Sequence, residues 1–351
     1  FFTARQWIGH LPGGIAIATV FGCAGFAACT GASTASAAIM GRVAIPEMKK
    51  YGYHPRLAAG VVAASGTLAS LIPPSVILVI YGIITEQSIG ALLIAGFIPG
   101  IVSAAIYAAM IYTRVRIHPE LGTPQPGVSL KAKFIALKRT WGVLVLIVLI
   151  IGGIYSGVFT PTEAGGAGAF GAFLMALFMR RLTKERLKES LLETGRTTIM
   201  IFAIIVGVLI FVRFLALTGL PDTFTQFVLD LPIPPGLILV LILCIYVFLG
   251  MFLDAIGMMM LTLPMVFPAV TGLGYDPIWF GIIVVKMCEI CLITPPVGLN
   301  CYIVRSVAPD IPLEEIFRGI LPFLAMDILT VAVLIAFPQI ITFLPSRMLG
   351  M

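Results

Sequence analysis

Long uncharged segments limit what this chain can fold into. Asp, Glu, Lys and Arg are all missing from residues 90–113, 141–162, 197–212, 255–275 and 328–346. An α-helix needs about 20 apolar residues to cross the hydrocarbon core of a bilayer, whereas barrel strands are shorter and alternate in polarity. Only 11% of the residues are charged, less than half the share of about 25% in a soluble domain. The sequence therefore predicts an all-α polytopic membrane protein.

Basic and non-basic loops alternate along the chain. Lys and Arg are concentrated in 42–56, 114–139 and 180–188, and are missing from 85–90, 159–163, 218–235 and 271–277. The positive-inside rule places the basic loops in the cytoplasm. These loops account for the net charge of +6, so we expect no nucleic-acid partner. Cys288 and Cys291 have metal-site spacing but no second Cys or His pair, which argues against a metal role.

Residues 13–41 do not fit a single crossing. A straight helix of that length would run about 44 Å, which is too long for one span and too short for two. Its centre contains Gly31 and several small hydroxyl residues, which weaken a helix. Because both flanks are basic, we expect a re-entrant helical hairpin over 13–48 that turns near Ser33. One long tilted helix is the alternative.

A weak internal repeat has an offset of 222 residues. The matched sites are Pro46 with Pro268, Gly52-Tyr53-x-Pro55 with Gly274-Tyr275-x-Pro277, and Pro73-Pro74 with Pro295-Pro296. The first copy of the Gly-Tyr-x-Pro loop is basic and the second is not, so the two halves are predicted to have opposite orientations. Inverted repeats with broken helices are typical of secondary transporters.

The repeat predicts three parts. The first inverted repeat covers 1–113, with a hairpin at 13–48, a broken helix at 57–84 and a helix at 90–113. Cytoplasmic loops and scaffold or connecting helices cover 114–217. The second inverted repeat covers 218–351, with a hairpin at 236–275, a broken helix at 278–303 and a final helix at 319–344.

Each predicted broken helix contains two consecutive prolines. Proline removes an amide donor and leaves carbonyl oxygens free, and hydroxyl residues lie beside both breaks. Such oxygens suit Na⁺, and helix N-termini at the hairpin tips favour an anionic substrate. A plain proline kink is the alternative interpretation.

Charged residues inside the apolar segments are functional candidates because burial in a membrane is costly. Asp254 lies at the second hairpin tip, and Lys286 and Glu289 are spaced to pair on one helix face. That pair is either functional or structural. Further candidates are Glu163, Arg213 and Asp327, although Arg213 could instead snorkel to the interface.

Several segments together resemble one family. They are 41–48, 52–55, 66–75, 81–82, 159–164, 263–264, 276–281 and 294–300. With them the chain is similar, over about residues 13–325, to the DctM-like large membrane subunit of tripartite ATP-independent periplasmic (TRAP) transporters, in the ion-transporter superfamily. Because the chain begins Phe1-Phe2 without Met, we expect that the first helices of such a subunit are missing.

The resemblance implies an elevator-type transporter of the bacterial inner membrane, and not an enzyme. It implies Na⁺-coupled uptake of a small organic acid, such as a C4-dicarboxylate or sialic acid. The expected partners are a small four-helix membrane subunit, a periplasmic substrate-binding protein and phospholipid. A stand-alone Na⁺/carboxylate symporter is the nearest alternative.

The resemblance also implies site residues. The first Na⁺ site would use Ser33, Thr34, Ser65, Gly66 and Thr67, and the second would use Asp254, Gly257, Cys288, Thr294 and Val297. The substrate would contact Ser33, Thr34, Ser36, Ser70, Pro73, Asp254, Thr294, Pro295 and Asn300.

Two other classes of membrane protein, an intramembrane protease and a channel, fit the residues less well. An intramembrane protease needs a Ser–His pair or two aspartates within the bilayer, but His10, His54 and His118 lie in loop or border segments. A channel lined by rings of charge would need more charge than these segments carry.

Overall fold

The computed structural model describes residues 1–125 and 129–349, apart from the side chains of 131, 132, 139 and 349. Every regular element in this part of the chain is helical. Four of its helices are long and apolar enough to cross a membrane: Ile89–Ile117, Lys184–Thr218, Ala255–Gly272 and Leu313–Ala336. Together with the shorter apolar helices, they confirm the predicted all-α polytopic architecture.

The helices can be grouped in chain order by the three predicted parts, although Ile89–Ile117 and Lys184–Thr218 extend past the predicted boundaries. The first part holds α1 (Phe2–Ile8), α2 (Gly14–Thr30), α3 (Ser33–Lys50), α4 (Pro55–Gly66), a 3-10 turn (Thr67–Ser70), α5 (Val76–Thr85) and α6 (Ile89–Ile117), before a second 3-10 turn (Pro119–Leu121). The middle part holds α7 (Leu130–Arg139), α8 (Trp141–Tyr155), α9 (Pro161–Phe178) and α10 (Lys184–Thr218). The last part holds α11 (Leu220–Leu229), α12 (Pro235–Gly250), α13 (Ala255–Gly272), α14 (Pro277–Ile293), α15 (Leu299–Val307), α16 (Leu313–Ala336) and α17 (Gln339–Leu349).

Residues 13–41 form parts of two helices rather than one long helix. Helix α2 ends at Gly31, whose φ of 62° is a left-handed conformation that glycine adopts at low cost. A Cβ atom on Gly31 would lie 2.3 Å from the carbonyl oxygen of Pro74, so the close approach also requires glycine. Helix α3 then begins at Ser33 and packs back against α2. The two helices form a hairpin whose turn lies beside the first proline pair.

The second half repeats this arrangement. Helices α12 and α13 contact each other and are separated by residues 251–254. Asp254 caps α13, because its carboxylate accepts hydrogen bonds from the amides of Ile256 and Gly257 at 3.2 and 3.4 Å. The following helices are broken at the proline pairs, between the first 3-10 turn and α5 and between α14 and α15. Both proline–proline peptide bonds are cis.

The range 319–344 differs from the expected single helix. Helix α16 ends at Ala336 and α17 begins at Gln339. The interruption falls at Phe337, which precedes Pro338, and proline disfavours the helical conformation of the residue before it. The final segment is therefore two helices.

Two buried cores hold the repeats together. One includes side chains from α5, α12, α13 and α14, and the other includes side chains from α2, α3, α4, α15 and α16. Helix α6 contributes to both. At the expected cytoplasmic end, Lys49 forms an ion pair with Asp310, and this hydrogen bond lowers the pKa of the Asp310 carboxyl. The repeats thus pack as one body, whereas α10 buries only Val208 and Leu215.

Candidate functional site

The first hairpin tip touches the first helix break through two serines. The hydroxyl oxygens of Ser33, at the start of α3, and Ser70, at the end of the 3-10 turn, lie 2.9 Å apart. Both side chains are buried. The contact connects residues that are 37 positions apart in sequence, and it places the N-terminus of α3 beside the break.

Two more serines are buried between α3 and α4. Ser36 and Ser65 are both 0% exposed, and neither hydroxyl has a hydrogen-bond partner among the described residues. Gly66 lies against Ala37, so close that an added Cβ would be 3.0 Å from the Ala37 Cβ. Buried hydroxyls without partners are rare in folded proteins, and a bound water or ion is one explanation for them. Their oxygens are of the hard type that suits Na⁺.

Thr67 and Thr34 differ in their surroundings. Thr67 is buried and donates its hydroxyl proton to the Ala64 carbonyl at 2.7 Å, which leaves the oxygen lone pairs available. Thr34 is exposed, unlike the buried Ser33 and Ser36 on either side of it. The structure therefore brings together Ser33, Ser36, Ser65, Gly66, Thr67 and Ser70, with Thr34 outside this group. We call these six residues the serine cluster.

Ser75 is a member of this region that the sequence analysis missed. Its hydroxyl donates to the Ser70 carbonyl and accepts a hydrogen bond from the Leu78 amide, so it caps α5. Pro73 is buried next to it. The position of Ser75 directly after two prolines and before an apolar run is an N-cap signal that could have identified it.

The second hairpin tip is arranged around Asp254. One carboxylate oxygen of Asp254 caps α13, and the other lies 2.7 Å from where a Cβ on Gly257 would be. The thiol of Cys288 faces the Ala255 carbonyl at 3.8 Å. Asp254 and Cys288 thus both contact the first turn of α13. Sulfur is a soft ligand, so a Na⁺ ion here would need oxygen atoms.

The residues around the second helix break are more exposed than those of the serine cluster. Thr294 is buried and donates its hydroxyl to the Ile290 carbonyl at 2.6 Å. Pro295 is half-buried, and Val297 is 41% exposed. Val297 has no side-chain role in the packed site.

Asn300 connects the two halves. It is fully buried, and its side-chain amide donates to the carbonyl oxygen of Ala63 at 3.1 Å. Its Oδ1 atom has no hydrogen-bond partner in the described part of the chain. Helix α14 also contacts the 3-10 turn of the first half. The second break therefore lies against the helix that carries Ser65.

A buried charge network lies beside the site. The Lys286 ammonium is 2.5 Å from Glu289 Oε2 and 2.7 Å from Asp327 Oδ1, and the Tyr107 hydroxyl donates to the same Asp327 oxygen at 2.5 Å. All four side chains are 0% exposed. The network joins α6, α14 and α16. Since Lys286 bridges two helices, its pairing with Glu289 is more than a local contact on one helix face.

Two other charged candidates lie outside the site. Glu163 forms a capping box with Thr160 at the start of α9, which is a local structural role. Arg213 is exposed on α10. The site is therefore built from the hairpins and broken helices.

Comparison with known proteins agrees with this architecture. The family model described as "Tripartite ATP-independent periplasmic transporter, DctM component" matches residues 1–340. The chain is 38% identical to a C4-dicarboxylate TRAP transporter large permease of Pseudomonas aeruginosa, over 99% of the chain and 79% of that protein. It is 34% identical to a sialic acid TRAP transporter large permease of Vibrio cholerae, over 100% of the chain and 82% of that protein. An ectoine TRAP transporter large permease of Halomonas elongata is 32% identical, over 96% of the chain and 79% of that protein.

Proposed function

The chain belongs to the DctM component family of tripartite ATP-independent periplasmic transporters, and we propose that it couples uptake of a small carboxylate to Na⁺ entry. As a member of this family it is a multi-pass protein of the bacterial inner membrane and a large permease. The coupling ion, the substrate class and the elevator mechanism are the parts that we propose.

The unpaired hydroxyls of Ser36 and Ser65 carry the Na⁺ proposal. Leaving a buried polar group without a partner costs about 1–3 kcal/mol, and these two groups lie on facing helices α3 and α4. A Na⁺ ion between them would accept their lone pairs and offset that cost. Ser33 and Thr67 add oxygens at the same contact, and the break after Ser70 adds carbonyls.

At the second tip Asp254 supplies the negative charge. One of its oxygens stays free after the other caps α13, and Thr294 adds a hydroxyl oxygen. Cys288, Gly257 and Val297 would contribute backbone carbonyls, because their side chains hold no hard oxygen. This second Na⁺ site balances the charge that an anionic substrate brings.

The carboxylate proposal rests on helix N-termini near the breaks. Helix α3 begins at Ser33 and α15 begins beside Asn300, and free backbone amides at such ends attract anions. Relatives of this chain are named for C4-dicarboxylate, sialic acid and ectoine, all of which carry a carboxylate group. The substrate would contact Ser33, Ser36, Ser70 and Asn300.

The shared cores support an elevator. Both hairpins and both broken helices pack into cores that α6 connects, so they can move as a unit. Helix α10 is long, apolar and largely outside those cores, which fits a fixed scaffold helix. The proposed partners are a small four-helix membrane subunit and a periplasmic substrate-binding protein.

Uptake into proteoliposomes tests the coupling. The full-length chain would be reconstituted with its small membrane subunit, and radiolabelled carboxylate would be supplied on its binding protein. We expect Ser65→Ala to raise the Na⁺ concentration for half-maximal uptake about tenfold, because one ion ligand is lost. Thr225→Val is the matched control, since Thr225 carries an unpaired buried hydroxyl on α11, away from the serine cluster. Uptake that needs no Na⁺ contradicts the coupling, and uptake without binding protein indicates a stand-alone symporter.

A further inference from the structure

A groove runs along the outside of the molecule between α6 and α16. Its volume is about 580 Å³. Its lining is apolar along most of its length and is provided by Ile106, Ala109, Met110, Ile117, Met326 and Leu329. Thr113, Arg114 and His118 line one end. The groove therefore has a long apolar part and a basic end.

The length of the groove matches one leaflet of a bilayer. From Ile106 to Ile117 the helix rises roughly 17 Å, at about 1.5 Å per residue. Half of the hydrocarbon core is about 15 Å thick. Ile106 lies next to Tyr107, whose hydroxyl meets Asp327 in the middle of α16. The groove thus extends from mid-membrane to the end of α6 that carries Arg114 and Arg116.

Arg114 is the arginine that lines the basic end of the groove. It is half-buried, and no carboxylate among the described residues forms an ion pair with it. Two neighbouring basic groups are already engaged: His118 Nδ1 lies 3.0 Å from Glu120, and Arg56 donates two hydrogen bonds to Glu315 at 2.7 and 3.0 Å. The hydroxyl of Thr113 donates to the Ala109 carbonyl. An unpaired guanidinium in this position favours a phosphate group, because arginine binds phosphate oxygens through several donors.

We infer that the α6–α16 groove binds an anionic glycerophospholipid of the cytoplasmic leaflet. One acyl chain lies along the apolar lining, and the phosphate contacts Arg114 at the basic end. The positive-inside rule puts this end on the cytoplasmic side, where anionic headgroups attract Lys and Arg. Because one wall comes from the first repeat and the other from the second, the lipid would contact both halves at once.

Native mass spectrometry of the purified complex tests this site. The full-length chain with its small membrane subunit would be incubated with phosphatidylglycerol or phosphatidylcholine of the same acyl length. We expect preferential retention of phosphatidylglycerol, and about a fivefold loss of retention in Arg114→Gln. Arg116→Gln is the matched control, because Arg116 is an exposed arginine on the same helix that does not line the groove. Its retention should equal that of the unmodified protein.

A second variant separates the apolar part from the charge. Ala109→Phe fills the groove and keeps Arg114, so it should also reduce retention. Equal retention by Arg114→Gln and the unmodified protein overturns the inference, as does equal retention of the two lipids. Competition by soluble glycerophosphoglycerol shows a plain anion site and also overturns it. If the chain alone retains the lipid but the complex does not, the small subunit covers the groove. That result also overturns the inference.

Discussion

Asn300 donates its side-chain amide to the carbonyl oxygen of Ala63, which lies 237 positions earlier in the chain. The carbonyl is available because the helix tightens at this point. Where α4 passes into the 3-10 turn, the Thr67 amide donates its hydrogen bonds to the carbonyls of Ala64 and Ser65. It therefore does not donate to the Ala63 carbonyl, four residues earlier. A side chain of the second repeat thus completes the hydrogen bonding of the broken helix in the first.

Replacing Asn300 with alanine should destabilise the protein and weaken transport together. The variant leaves the Ala63 carbonyl buried and unpaired, which costs about 1–3 kcal/mol. Thermal unfolding in detergent should show a lower midpoint, and uptake should need more Na⁺ because Ala63 is close in sequence to Ser65. Leu299→Ala is the control, since Leu299 is partly exposed on the same helix. An unchanged midpoint would show that the bond contributes nothing to stability.

Replacing Lys286 should lower the stability of the protein more than replacing any other member of the buried charge network. Lys286→Met leaves Glu289 and Asp327 as two buried carboxylates without a cation, and breaking a buried ion pair in this way costs about 3–5 kcal/mol. Asp327→Asn removes one of the two negative charges and leaves one cation with one carboxylate. We therefore expect Asp327→Asn to be the milder change.

Thermal unfolding of the single variants and of a triple variant checks this order. Adding Asp327→Asn and Glu289→Gln to Lys286→Met should recover part of the lost stability, because the uncompensated charge is then gone. If Lys286→Met alone unfolds at the same temperature as Asp327→Asn, the ammonium does not compensate the carboxylates and the explanation is wrong.

Close packing of two glycines fixes the distance between α4 and α16. A Cβ on Gly319 would lie 2.2 Å from the Arg56 carbonyl oxygen, and one on Gly60 would lie 2.4 Å from the Gly319 carbonyl oxygen. Either glycine-to-alanine change forces the backbones of α4 and α16 apart, which should lower the free energy of unfolding by about 1–3 kcal/mol. Gly207→Ala on α10 is the control, because nothing lies within 4 Å of the added atom. Alanine there should be neutral or stabilising by up to about 1 kcal/mol. Equal unfolding midpoints for Gly319→Ala and Gly207→Ala would contradict the steric argument.

The sequence predicts the broken helices and hairpin turns because the residues that cause them act locally. Gly31 and the proline pairs act on their own neighbours, so the sequence shows where regular helix must stop. The break at Phe337-Pro338 has the same kind of cause, but it lies within an apolar run for which the sequence predicts one continuous helix. Proline alone does not decide where a helix stops, however, because several prolines lie inside continuous helices: Pro46, Pro99, Pro264, Pro268, Pro322 and Pro345.

Contacts between distant residues could not be predicted in the same way. Tyr107 and Asp327 are separated by 220 positions, and a tyrosine within an apolar helix has no local feature that indicates its partner. The same holds for Asn300 and Ala63. Burial costs single out Lys286 and Asp327 as candidates, but only the packing of α6, α14 and α16 shows that they meet.

Ser33 and Thr34 should differ in their effect on Na⁺ binding, although the family resemblance implies both. Ser33 is buried and its hydroxyl lies 2.9 Å from that of Ser70, whereas Thr34 is exposed. Ser33→Ala removes an oxygen from the serine cluster and should raise the Na⁺ requirement of uptake about tenfold. Thr34→Val keeps the shape of the side chain and should change the Na⁺ requirement of uptake less than twofold. Equal losses in the two variants would show that Thr34 turns into the site during transport, in a conformation other than this one.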